Sequence, residues 1–154
     1  MGVNNMTTYT NKDFSNENYS RLMAYLAGQL TTIPDEQWQR RTAEDTLTLA
    51  TLFQDGDRSY GLELESFRRN PHFENTGMFR IRFFPSQKSI DYDIFETEVE
   101  TEEKIPLLQP FMDTHTRVSR RMSEKDAQQR EQLQQAHRVK AQSFLETILG
   151  KQAQ

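Results

Sequence analysis

Between Leu47 and Ile94 large apolar side chains recur at every second position, and that spacing constrains the fold more than any other feature. The runs are Leu47, Leu49, Thr51 and Phe53, then Tyr60, Leu62 and Leu64, then Phe79, Ile81 and Phe83, then Ile90, Tyr92 and Ile94. A period of two sends successive side chains to opposite faces of an extended chain, so each run reads as a strand with one apolar face. Asp55-Gly56 joins the first two as a hairpin, because both residues tolerate positive φ. A longer loop from Arg69 to Gly77 leads to the third run, and Pro85-Ser86-Gln87-Lys88 turns into the fourth. Four strands joined in this way form an antiparallel meander.

The polar positions support the same pairing. With the strands in chain order, Glu63 and Glu65 face Arg80 and Arg82, which face Asp91 and Asp93. Opposite charges across neighbouring strands contribute about 0.2–1 kcal/mol each. A slip of one residue would bury these charges and expose the rings, so the ladder ties register to charge.

The flanks change period. Residues 1–12 read as a flexible polar tail. Asp13 or Ser15 then caps a helix on which Tyr19, Leu22, Met23, Leu26 and Leu30 share one face, ended by Thr31-Thr32. Thr32 and Pro34 open a second, short helix through Arg41, with acids in its first turn, bases in its last and Trp38 as its core anchor. Beyond the strands, Ile105, Leu107, Leu108, Phe111 and Met112, punctuated by Pro106 and Pro110, form an apolar patch suited to closing one end of the sheet. Ser123 caps a long helix that runs to about Leu149, with Gly150 as its stop. Leu133, Ala136, Ala141, Phe144, Leu145, Ile148 and Leu149 give its second half an apolar stripe. Its first half, Glu124 to Gln132, is polar all round, which suits solvent or a partner outside this chain.

The expected fold class is therefore α+β: two N-terminal helices, a four-stranded antiparallel β-meander, and a C-terminal helical region with one long helix. A chain of 154 residues fits one such domain. Its expected span is 13–154 after the 1–12 tail, divided into helical 13–43, meander 46–99 and helical arm 105–149. Hydrophobic residues make up 34% and aromatic residues 10%, which implies a thin, ring-rich core with polar arms outside it. A core this thin gains from a partner or a second copy.

Several classes of chemistry lack their residues. Without cysteine there are no disulfides, thiolate metal sites or cysteine nucleophiles, which fits a reducing, cytoplasmic setting. No apolar run approaches the roughly 20 residues of a membrane span. Met1 to Asn11 has no secretory pattern, and Met6 stands where a myristoylation start wants Ser or Thr. His72, His115 and His137 have no metal-ligand spacing, and Asp113-Thr114-His115 offers one carboxylate–imidazole pair with no third group. Glu63, Glu65, Asp91 and Asp93 invite a magnesium site, but the charge ladder already accounts for them. The Asp55–Gly61 segment has its glycine one place late for a calcium loop, with Ser66 where a bidentate Glu belongs. Phosphate-binding glycine loops and nucleophile elbows are missing. Catalytic, cofactor-binding and metal residues are accordingly assigned as none, and the expected protein is not an enzyme.

Charge is unevenly placed. From Lys104 onward nine Lys/Arg stand against five Asp/Glu, while the first 103 residues hold ten against eighteen. Asp91 to Glu103 alone holds seven acids and no base. Arg117, Arg120, Arg121, Lys125, Arg130, Arg138 and Lys140 form the candidate partner-binding series. The expected function is a non-enzymatic protein-interaction module (adaptor, inhibitor or assembly factor) acting through the C-terminal helix, on a protein partner or by self-association, and not on a membrane. Two alternatives stay open: a nucleic-acid-associated protein using the basic C-terminal segment, and a small-molecule carrier with an aromatic-lined cavity.

Overall fold

The structure, a computed structural model, describes residues 5–69, 76–85 and 91–152. His72, the residues of the turn after Pro85, and Ile90 lie outside the described residues. The chain divides into two compact units, Met1–Val118 and Ser119–Gln154.

The first unit is α+β. Its strands are β1 (Asn5–Tyr9), β2 (Gln39–Ala43), β3 (Thr46–Asp55), β4 (Arg58–Arg69), β5 (Thr76–Pro85) and β6 (Asp91–Glu100). They form one sheet in the order β1-β6-β5-β4-β3-β2. Every pairing is antiparallel except β1 with β6, which is parallel. Helix α1 (Asn16–Leu30) precedes the sheet's second strand, and α2 (Gln109–Gln152) follows its last.

The four expected strands are present as β3 to β6, and two more extend the sheet. Residues 5–9, expected as part of the tail, add β1 along β6, with Tyr9 placed against Phe14 at 6.3 Å between ring centroids. The second N-terminal helix is not formed. Asp35–Gln37 make one 3-10 turn that ends at Trp38, and Gln39–Ala43 then pair with β3. Trp38 keeps its expected role as anchor, at 3% exposure. Pairing decides between the two outcomes here, because one turn of helix cannot offset its own nucleation cost. The β2–β3 turn places Asp45 at φ 58, a left-handed position that aspartate tolerates better than most residues. The expected Asp55-Gly56 hairpin turn is present, with Gly56 at φ 66.

One face of the sheet is apolar. Leu49, Thr51 and Phe53 of β3, Leu62 and Leu64 of β4, Phe79 and Ile81 of β5, and Phe95, Thr97 and Val99 of β6 are all buried. Met23, Leu26 and Leu30 of α1 join this core, as do Leu108, Phe111 and Val118. The Ser15 hydroxyl accepts the Asn18 N–H at 3.1 Å, so Ser15 is the α1 cap. Two contacts show that α1 and the start of α2, up to Val118, lie on the same side: the Tyr19 hydroxyl meets Thr97 Oγ1 at 3.1 Å, and the His115 ring sits edge-on to Phe79.

The opposite face carries charge, with one correction to the expected ladder. Glu63 is paired with Arg82 and Glu65 with Arg80, as the polar pattern predicts. The next rung is Glu96 and Glu98, and Asp93 takes the other parity, while the Asp91 side chain lies outside the described ones. Phe95, Thr97 and Val99 thus point to the core, while Ile94 goes to the charged face. The alternative parity would place Glu96 and Glu98 under the helices, which is the larger penalty.

Helix α2 begins fourteen residues before the expected start at Ser123 and continues through Gly150 instead of stopping there. Pro110 falls in its first turn, where a missing N–H costs nothing. The expected patch does pack: Leu108 and Phe111 are fully buried. Among the described residues, no helix is long and apolar enough to cross a membrane.

Candidate functional site

The second unit consists of the α2 segment from Ser119 onward. Its residues 127–150 are all exposed. At roughly 100° per residue, Leu133, His137, Ala141, Phe144 and Ile148 fall within an arc of about 80°. Leu145 and Leu149 extend that arc on one side, and Val139 lies nearly opposite it. Leu133 is 71% exposed, Phe144 68% and Leu149 51%, values out of keeping with side chains this apolar. Leu145 and Ile148 are also exposed. No carboxylate between residues 127 and 150 lies within the arc of about 80°: Glu146 falls on the far side of the helix and Glu131 at the outer edge, at the angle of Leu149. Arg138 and Lys140 border the stripe on either flank. The helix is held by its own short-range bonds, such as Gln142 Nε2–H to Glu146 Oε1 at 3.1 Å and the Thr147 hydroxyl to the Ser143 carbonyl at 2.8 Å.

The candidate basic series is not brought together as one surface. Arg117 lies in the first unit and binds Asp35 through two contacts, 3.2 and 3.4 Å. Arg120, Arg121, Lys125, Arg130, Arg138 and Lys140 are all exposed on α2 but spread around its circumference at that angular step. The apolar stripe, rather than these cations, is the feature confined to one face.

A second candidate is a groove on the core side of the first unit. Tyr9, Phe14, Leu22, Tyr60, Phe83 and Phe95 wall a space of about 600 Å³, with Arg21 and Asp93 at its polar margin. On one wall Tyr60 packs on Phe83 at 5.1 Å, and both rings pack on the buried Phe53, at 5.5 and 6.1 Å. Asp93, expected in the charge ladder, lies here instead.

The charged face is a lattice. Arg80 reaches Glu96 at 3.0 Å, Glu98 at 2.9 Å and Glu65 at 3.6 Å, and its guanidinium carbon stands 4.3 Å from the centre of the Phe67 ring. Arg82 binds Glu96 at 3.2 Å, and Arg41 binds Glu63 at 3.0 Å. These acids are engaged by guanidinium groups, and among the described residues no group of three or more His, Cys, Asp or Glu is arranged to hold a metal ion.

Two ionisable groups are displaced from their usual ranges. Burial pushes the His115 imidazole down, against an opposing hydrogen bond from Nε2–H to the Leu47 carbonyl at 3.1 Å. Asp113 accepts a hydrogen bond from Gln109 at 2.7 Å, and His115 faces Leu47 and Phe79, so the sequence neighbours do not form a dyad. Burial, then the hydrogen bond to Asp55 at 2.6 Å, pushes the Tyr25 phenol up to about 12. That bond ties α1 to the β3–β4 hairpin. Comparison with protein-family models, with curated proteins and with solved structures finds no match for this chain.

Proposed function

We propose that this protein is a non-enzymatic interaction module, an adaptor, inhibitor or assembly factor, that binds a protein partner through the C-terminal part of α2. The observation that carries the reading is the exposed stripe of Leu133, Phe144, Leu145 and Ile148 on one face of a helix whose own bonds do not need it. An amphipathic helix with anchors spaced three and four residues apart is a recurrent way of filling an apolar groove or pairing with another helix. The test is co-purification from native cells with Phe144→Asp/Ile148→Asp as the control. A protein held by the wild type and released by the double variant supports the reading; equal recovery on both sinks it.

A second reading has its own observation. The ring-walled groove at Tyr60, Phe83 and Phe95 suits a small apolar ligand with a polar end near Arg21 or Asp93. Binding of an apolar fluorescent dye that Phe83→Ala leaves unchanged would remove it.

A further inference from the structure

We infer that the ring-walled groove of the first unit takes a small zwitterion of the amino-acid class, one with an aromatic or other large apolar side chain. This rests on the second reading above and names the ligand. The selection comes from how the polar groups are sorted around the groove. Helix α1 contributes Asn18, Arg21 and Leu22, three residues that share one face at spacings of three and four. Strand β6 contributes Asp93, two residues before the buried Phe95. Hydrogen-bond donors therefore stand on the helical side and a carboxylate on the sheet side. Arg21 and Asp93 are both exposed, and among the described residues neither is joined to the other, or to any further group, by an ion pair or hydrogen bond. Elsewhere on this unit opposite charges do meet, Arg80 with Glu96 at 3.0 Å and Arg117 with Asp35 at 3.2 Å. Two opposite charges that line one groove without meeting leave a gap that a molecule carrying both signs can bridge.

The presence of both signs disfavours simpler ligands. An apolar acid would gain Arg21, whose planar guanidinium grips a carboxylate through two N–H groups, but would bring its own charge toward Asp93. An apolar amine would gain Asp93 and meet Arg21. A neutral apolar molecule uses neither charge and returns no hydrogen bond where it strips water from them. An α-amino acid answers each group. Its carboxylate accepts from Arg21 and the Asn18 amide, its ammonium donates to Asp93, and its side chain lies on Tyr60 and Phe83. Tyr9 and Phe14, each 37% exposed, are rings of the same groove that such a side chain would cover. The space of about 600 Å³ falls within the roughly 300–1,000 Å³ of small-molecule sites.

Calorimetric titration of the full chain with three probes tests this: L-phenylalanine, phenylpropionate, which lacks the ammonium, and phenethylamine, which lacks the carboxylate. Phenylalanine should bind at least about tenfold more tightly than either analogue. The comparison needs no variant, so it decides the question on the wild type alone. Arg21→Gln should then bring phenylalanine down to the affinity of phenethylamine, and Asp93→Asn to that of phenylpropionate. Phe83→Ala should weaken all three. An analogue that binds as tightly as phenylalanine overturns the inference, as does an affinity that Arg21→Gln and Asp93→Asn leave unmoved. So does the absence of phenylalanine binding at about 10 mM. If the apolar dye binds and Phe83→Ala releases it, while phenylalanine neither binds nor displaces it, the zwitterion falls and the groove reading stands. If Phe83→Ala leaves the dye unchanged as well, both fall.

Discussion

Arg80→Leu should destabilise the first unit by about 2–4 kcal/mol, a magnitude that follows from where the guanidinium sits. The side chain is 18% exposed, although it lies on the charged face of the sheet. Three carboxylates surround it, Glu65, Glu96 and Glu98, themselves 13%, 21% and 26% exposed. An exposed ion pair contributes about 0–1 kcal/mol, whereas removing one partner of a fully buried pair costs about 3–5 kcal/mol. Arg80 lies between these limits. Its loss also takes away the guanidinium that Glu65, Glu96 and Glu98 share, and removes the contact with the Phe67 ring, itself about 0.5–2 kcal/mol. The leucine returns some apolar packing, which keeps the total below the buried limit. Urea unfolding at neutral pH measures it, followed by fluorescence of Trp38, the chain's only tryptophan and a buried residue of this unit. Asp93→Asn serves as the paired control, since Asp93 has the other parity and should shift stability by less than about 0.5 kcal/mol. Adding Glu65→Gln to Arg80→Leu should restore part of the loss by lowering the repulsion between neighbouring carboxylates, Glu65 lying beside Arg80 and near Arg82. A cost under about 1 kcal/mol for Arg80→Leu, or equal costs for Arg80→Leu and Asp93→Asn, would refute the reasoning about burial and register together.

Three further expectations follow from the first unit. A Cβ on Gly61 would stand 2.5 Å from Phe84 Cε2, so Gly61→Ala should cost about 1–2 kcal/mol by the same urea assay, and Phe84→Leu should relieve it; no relief would mean the ring is not what Gly61 accommodates. His115 has its pKa lowered by burial, so the unfolded chain binds the proton first and stability falls as pH drops below the ordinary histidine value of about 6.5. His115→Gln should flatten that limb between neutral and mildly acidic pH, and an unchanged slope would assign it to other groups. Tyr25, raised to about 12, favours the folded state below the ordinary tyrosine range and loses that contribution as pH rises from about 10 toward 12. Spectrophotometric titration should show one phenol ionising last, and Tyr25→Phe should remove it.

The alternation that made the sheet legible also misplaced one strand of it. Ile90, Tyr92 and Ile94 alternate cleanly with Asp91 and Asp93, and Phe95, Thr97 and Val99 alternate as cleanly with Glu96, Glu98 and Glu100. The two halves have opposite parity and meet at Ile94-Phe95. Local pattern gives no reason to prefer the first half; pairing with β5 does, because only the second half puts Glu96 and Glu98 beside Arg80 and Phe95 beside Phe83. Strands β1 and β2 were hidden for a related reason. Asn5–Tyr9 and Gln39–Ala43 carry little apolar pattern of their own, and each is extended because a neighbouring edge supplies partners. The start of α2 was hidden by reading Pro110 as a break, although proline is at home in a first turn. Of the candidate surface, the periodicity of Phe144, Leu145 and Ile148 was plain in the sequence. That they are exposed was not, since a buried stripe and an unpartnered one share the same spacing.

The exposure of that stripe has a physical consequence. From Ser119 to Gln152 the helix is rich in Gln, Ala, Arg, Lys and Glu, residues that support helix without burial. Pairs such as Gln142 with Glu146 add a few tenths of a kcal/mol each. Replacing Leu133, Phe144 and Ile148 by glutamine would therefore leave helix propensity close to unchanged, while removing three of the six large apolar side chains this segment exposes. Side chains that add so little to the secondary structure they sit on, and that cost solubility where they stand, find their stabilising role only when covered. Among the described residues of the first unit, most large apolar side chains are spent between one sheet face and the helices on it, while acids and arginines pair across the other face, where Leu52 stays exposed. The two units thus differ in kind: Met1–Val118 holds the buried apolar core, whereas the apolar stripe of α2 is exposed along its length.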